Sequence, residues 1–206
     1  MSIPVFSTQY FGSIWYYFEM CKYQQIQIES KEYFIKQTFR NRTIILTANG
    51  QMKLIVPLVH QSNKEIIEHK EICYKEKWYK KHYTAIVSAY KNSAYFEYYY
   101  DDLVSWLIKP EFKKLFEMNN FILKNVMKVL DLNIQVDYTT EYKIDVEKDY
   151  RNFFDDETIN LPDALKKPYL QVFSDRFEFQ ENLSVLDLIF NLGPLAKEYL
   201  KGEYIF

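Results

Sequence analysis

The sequence predicts an α/β protein: one domain with a mixed β-sheet, including a hairpin at about 43–58, flanked by helices. Three observations predict it. Short runs of alternating apolar and polar residues are interleaved with longer segments of helical period. "TIILTA" and "QMKLIVPLV" flank Asn49-Gly50, the dipeptide that accepts the positive φ angles of a type I′ turn. No internal repeat or Pro/Ser-rich linker divides the 206 residues, a length that suits one substantial core.

Each element has its own reason. "IPVF" reads as a first strand, and the polar "STQYFGS" leads into a helix, "SIWYYFEMCKY". "QQIQIES" alternates and suggests a second strand, followed by "KQTFRNR" and the hairpin. "HQSNKEIIEHKEICY" is polar, with room for one short strand. In "KEKWYKKHYTAIVSAY", Trp78, His82, Ala85 and Ala89 share a helical face, with lysines opposite. After a break at Asn92-Ser93, "SAYFEYYYDDLVSWLIK" continues helically. Pro110 suits the start of a six-turn helix, "EFKKLFEMNNFILKNVMKVLDL". "NIQVDYTTEYKI" is strand material, and about 145–168 reads as an irregular acidic insertion. In "NLSVLDLIFNLGP", Ser184 and Asp187 have capping-box spacing, Leu183 and Leu188 stand where a staple would, and Gly193-Pro194 is a stop.

Composition removes several function classes. Four glycines never approach dinucleotide or P-loop spacing, and there is no GxSxG elbow. Two cysteines make no disulfide framework. The N-terminus lacks the pattern of a signal peptide, and no run of about 18 apolar residues exists, so a cytoplasmic location without a membrane span is expected. The net charge of −2 conceals an asymmetry: residues 1–100 carry 13 Lys+Arg against 8 acidic residues, and the rest 13 against 20. The basic half could meet an anion, or the acidic half.

"STQYFGSIWYY", "YFIKQTFRNRTIILTANG", "LIVPLVH", "WYKKHYTAIVSAYKNSAYFEYYYDDL" and "NLSVLDLIFNLGP" together resemble the WbqC-like family, from residue 6 to about 194, closest to its short Bacteroidetes-type members. The resemblance implies a cytoplasmic bacterial protein; some members are encoded among genes for surface-polysaccharide (O-antigen) synthesis, with no settled activity. Where similar members read Tyr-Phe-Pro-Pro in the first loop, this chain has Tyr10-Phe11-Gly12-Ser13, which implies a looser loop.

Within "KQTFRNR", an extended backbone would aim Arg40 and Arg42 to one face, where two guanidiniums grip phosphate or carboxylate oxygens; Lys36 adds charge. The bland reading pairs exposed arginines with Glu29 or Glu32. His82 is a candidate acid–base residue, or a structural histidine at the margin of an apolar face. Ser7, Thr8 and Gln9 would lie near a helix N-terminus, where anions bind. Asn41 and Asn92 would orient a substrate, and Tyr10 and Tyr95 would line its site. Asp187 is a cap or a carboxylate with a task. His60, His69 and Cys73 offer too few ligands for a metal, so neither metal nor cofactor is expected. "KEKWYKKHY" interleaves lysines with rings, but nucleic acid is not the expected partner of a mildly acidic chain.

The expected function is a transferase-like enzyme acting on a phosphorylated or nucleotide-linked small molecule. The alternative is a non-catalytic module that meets a partner protein through an aromatic surface. The two differ structurally. An enzyme should bring Arg40, Arg42, His82 and Asn92 to one pocket, and a scaffold should scatter them.

Overall fold

A computed structural model describes residues 2–59, 64–155 and 159–204. In chain order its elements are β1 (Val5–Phe6), α1 (Ile14–Met20), β2 (Gln25–Ile28), β3 (Arg42–Thr47), β4 (Gly50–Ile55), α2 (Trp78–Tyr90), α3 (Phe96–Leu103), α4 (Leu115–Val129), β5 (Gln135–Tyr138), β6 (Asp149–Tyr150), α5 (Val185–Leu192) and α6 (Ala196–Leu200). Short 3₁₀ turns join several of them.

The chain is a single α/β domain with two sheets: four parallel strands in the order β5-β2-β1-β6, and the antiparallel β3–β4 hairpin. β1 pairs with β2 on one side and β6 on the other, with Val5 opposite both Gln27 and Asp149. Parallel strands are covered on both faces, and Val5, Phe6, Ile26 and Ile28 are all buried. All seven residues of α1 are buried too. Much of the aromatic content packs here: Phe6 stacks on Tyr150 at 4.6 Å, and Tyr16 meets the Phe154 ring edge-on at 5.4 Å.

The hairpin follows from local chemistry. Gly50 takes φ 97° in the turn, and the ladder runs from Arg42↔Ile55 to Thr47↔Gly50. It docks through a backbone bond from Ser184 N to Ile44 O (2.7 Å), while Val56 N to Asn41 O (2.8 Å) extends its own ladder by one step.

Four details differ from the sequence expectation. The hairpin does not join the parallel strands in one mixed sheet. α4 begins at Leu115 rather than after Pro110, because Lys114 stays extended (φ −108°, ψ 141°) and its neighbours pair with residues 70–72. The acidic stretch at 145–168 supplies β6, a strand of the main sheet. The capping box does not close: Ser184 Oγ accepts from Leu186 N (3.4 Å), but Ser184 N bonds to Ile44 O. Asp187 instead accepts from the Tyr169 hydroxyl (2.7 Å) and Gln171 Nε2 (2.9 Å).

Candidate functional site at the carboxyl edge of the parallel sheet

In open parallel sheets, ligands settle outside the carboxyl ends of the strands, where successive connections leave in opposite directions. Here that point lies between β1 and β6, since α1 carries the chain from β1 to β2 on one side and β6 returns on the other. The residues that emerge there are Ser7 and Thr8 after β1, Glu29 to Glu32 after β2, Thr139 after β5, and Arg151 and Asn152 after β6.

Two buried guanidiniums organise this edge. Arg40 enters from the turn that precedes the hairpin and is 0% exposed. Its Nε and Nη2 grip the two Glu32 oxygens at 2.8 and 2.7 Å. Nη2 also reaches Arg151 O (2.9 Å) and Asn152 Oδ1 (3.1 Å), and Nη1 lies 3.4 Å from Asp155 Oδ2. Arg151 bonds Asp149 through Nε (2.8 Å) and Nη2 (2.5 Å), reaches Glu29 and Lys143 O through Nη1, and lies 4.5 Å from the centre of the Tyr142 ring. Burial holds the Glu32 carboxyl above its usual range, against the bonds from Arg40 that pull it down. Burial raises Asp155 as well, against Phe39 N and the two nearby arginines.

Above this network lies a pocket of about 380 Å³ lined by Lys31, Glu32, Tyr33, Ile35, Ile66, Tyr142 and Asn152. Residues 33–36 form one of its walls. Side chains of an extended segment alternate between its faces, so Tyr33 and Ile35 line this pocket, while Phe34 and Lys36 line a second one of about 220 Å³. Asn41, Glu65 and Lys70 also border the second pocket, where Lys70 Nζ donates to Val59 O (2.7 Å) and Glu65 (2.5 Å).

The residues picked out by sequence do not meet in one place. Arg40 is spent on Glu32 and its neighbours, so it does not clamp an external anion; it sits in a turn, not in the strand that would have aligned it with Arg42. Arg42 is half-buried in β3, and its Nε has no hydrogen-bond partner among the described residues. Asn41 donates to Val56 O (2.9 Å) and closes the open end of the hairpin. His82 is buried beneath Trp78 and shares a 2.9 Å hydrogen bond with the Tyr10 hydroxyl. Burial lowers His82 to about 4 and raises Tyr10 well above its usual range, which leaves a neutral pair. Asn92 borders a separate open cleft with Gln171 and Asn191, and the Tyr95 ring covers Gly193.

The first loop is closed to anions. Ser7, Thr8 and Gln9 are buried, and the amides at the start of α1 have protein acceptors: Ile14 N on Leu183 O (2.9 Å), Trp15 N on Asn182 Oδ1 (3.0 Å) and Tyr16 N on Ser13 Oγ (3.2 Å). Gly12-Ser13 is not loose here. Ser13 caps α1, and a Cβ on Gly12 would come within 2.7 Å of Tyr16. Among the described residues no group of three or more His, Cys, Asp or Glu is placed to hold a metal, and no helix is long and apolar enough to cross a membrane. His60 lies outside the described residues.

A model of the WbqC-like protein family matches residues 8–165. The chain belongs to the WbqC-like family. The matched span holds β2 to β6, with β1 lying just before it, and includes Glu32, Arg40, Tyr142 and Asn152. It stops short of "NLSVLDLIFNLGP", so α5 lies beyond it. No curated protein and no solved structure matches this WbqC-like chain.

Sequence reasoning named Glu32 only as a surface partner for arginine and missed Tyr33, Tyr142, Arg151 and Asn152. One signal was present: "ES-KE" directly follows the alternating "QIQI", and residues just past a parallel strand face the ligand edge. Chemically the pocket floor offers both hydrogen-bond senses. Glu32 keeps acceptor capacity beyond its two bonds to Arg40, and Asn152 Nδ2 has no partner among the described residues.

Proposed function

We propose that this WbqC-like protein is a transferase-type enzyme of surface-polysaccharide synthesis, working in the bacterial cytoplasm on a phosphorylated or nucleotide-linked small molecule. The pocket between Tyr33 and Tyr142 holds that molecule. One observation carries this reading: the pocket opens at the carboxyl edge of the parallel sheet, among residues that follow β2, β5 and β6, and its floor, Glu32 and Asn152, is fixed by the fully buried Arg40. Such pre-organisation is what a binding site needs and what a solvated sheet edge lacks.

A thermal-shift panel of nucleotide sugars and sugar phosphates tests it, with wild type beside a Tyr33→Ala/Tyr142→Ala variant. A ligand that binds only the folded state raises Tm. The expected result is a rise for wild type that the double variant loses. No rise with any member of the panel at millimolar concentration would remove the reading.

A second reading has its own observation. Tyr33, Ile35, Tyr142 and Ile144 are 56, 40, 50 and 82% exposed, and the first three line the same pocket. Rings and aliphatics of this kind also suit a partner protein. On that reading the double variant loses a protein complex and no small-molecule response.

A further inference from the structure

We infer that the pocket takes the neutral, hydroxyl-bearing ring of its ligand, a pyranose, and leaves the anionic part outside. This rests on the small-molecule reading above and names which end of the molecule the pocket recognises.

Charge comes first. Both guanidiniums beneath the pocket are enclosed, with side chains 0% and 3% exposed for Arg40 and Arg151. Their donors point to Glu32, Asp155, Asp149, Glu29 and backbone carbonyls. Among the described lining residues the one cation, Lys31, holds Glu68 through its Nζ. A phosphate entering here would bring only acceptors to a carboxylate, with no guanidinium among the described lining residues to meet them.

Hydrogen bonding comes next. Asn152 Oδ1 accepts from Arg40, which turns its Nδ2 into the available donor. Glu32 is acceptor only. An acceptor beside a donor fits neighbouring hydroxyls: one donates to Glu32 and the next accepts from Asn152. The walls agree. Tyr33 and Tyr142 supply rings against which the C–H face of a sugar packs, and Ile35 and Ile66 supply branched, non-planar surface. One face of Tyr142 already carries the Arg151 guanidinium, which leaves its other face for the ligand.

The experiment titrates wild type, Tyr33→Ala and Asn152→Asp with three probes: methyl glycosides of glucose, galactose and mannose; UDP-glucose with UDP-galactose and GDP-mannose; and the matching nucleoside diphosphates alone. Tyr33 is half exposed, and aspartate at 152 keeps an acceptor for Arg40, so both variants should fold; their unliganded Tm values check this. The expected result is binding of at least one methyl glycoside and its nucleotide sugar, with the nucleoside diphosphate at least tenfold weaker. Asn152→Asp should weaken the sugar about tenfold, since it removes a donor and adds a charge beside Glu32. If the nucleoside diphosphate binds as tightly as its nucleotide sugar, and Tyr33→Ala weakens both, the inference falls while the small-molecule reading stands. If none of the probes binds, both fall.

Discussion

Arg40 and His82 are buried side chains that keep opposite charge states. The Arg40 guanidinium is met bidentately by Glu32, and removing it would leave that carboxylate enclosed without its main partner. Arg40→Ala is therefore expected to cost about 3–5 kcal/mol in denaturant unfolding, far more than an exposed arginine. His82 is held neutral, lowered by burial to about 4 from an ordinary 6.5. Between those values the unfolded chain binds a proton that the folded one does not, so the stability owed to neutral His82 is present above pH 6.5 and lost as pH falls to 4. The loss amounts to about 3 kcal/mol. His82→Gln should flatten that slope in unfolding curves measured from pH 7 to 4; an unchanged slope would assign it to other groups. "KQTFRNR" showed cations near Glu32, and the pairing was legible in that sense. Burial was not, because it depends on Arg151, Asn152 and Asp155, which come over a hundred residues later.

Elements whose causes are local could be read from the chain. Asn49-Gly50 sets the hairpin, Ser184 caps α5, and Gly193 ends it at φ 54°. Gly193 carries a second constraint absent from its neighbours in sequence: a Cβ there would stand 2.5 Å from the Tyr95 ring. Gly193→Ala should destabilise by about 2–4 kcal/mol, from left-handed backbone and overpacking together. Gly50→Ala, with φ 97° but open space, should cost about 1 kcal/mol, and paired thermal melts would separate the two. β6 was illegible for the opposite reason. Two residues in an acidic stretch have no period to read, and Asp149–Tyr150 becomes a strand only by lying against Val5 and Phe6. The start of α4 is similar, since backbone pairing of Glu71 with Lys114 keeps that end extended.

At the scale of the whole molecule, the basic first half and the acidic second half are interleaved. β1 and β2 come from one, β5 and β6 from the other, and the buried ion pairs Arg40–Asp155 and Arg151–Glu29 cross between them. A fragment ending at residue 133 would lack two of four sheet strands and leave Arg40 without Asp155, so it should give no dispersed amide spectrum by NMR, while the full chain does. A fragment that folds would show two separable units. The strand order also acts while the protein is being made. β1 leaves the ribosome well over a hundred residues before β6, one of its two neighbours, which is synthesised only after residue 148. Until then Phe6 lacks the Tyr150 ring, and Trp15 and Tyr16 of α1 lack the Phe153 and Phe154 rings that cover them in the finished protein. Closing so long a loop is slow, and the exposed rings meanwhile invite aggregation. Translation should therefore carry this nascent chain through a long interval of chaperone dependence, which would show as soluble yield that rises steeply when a holdase is supplied during cell-free synthesis.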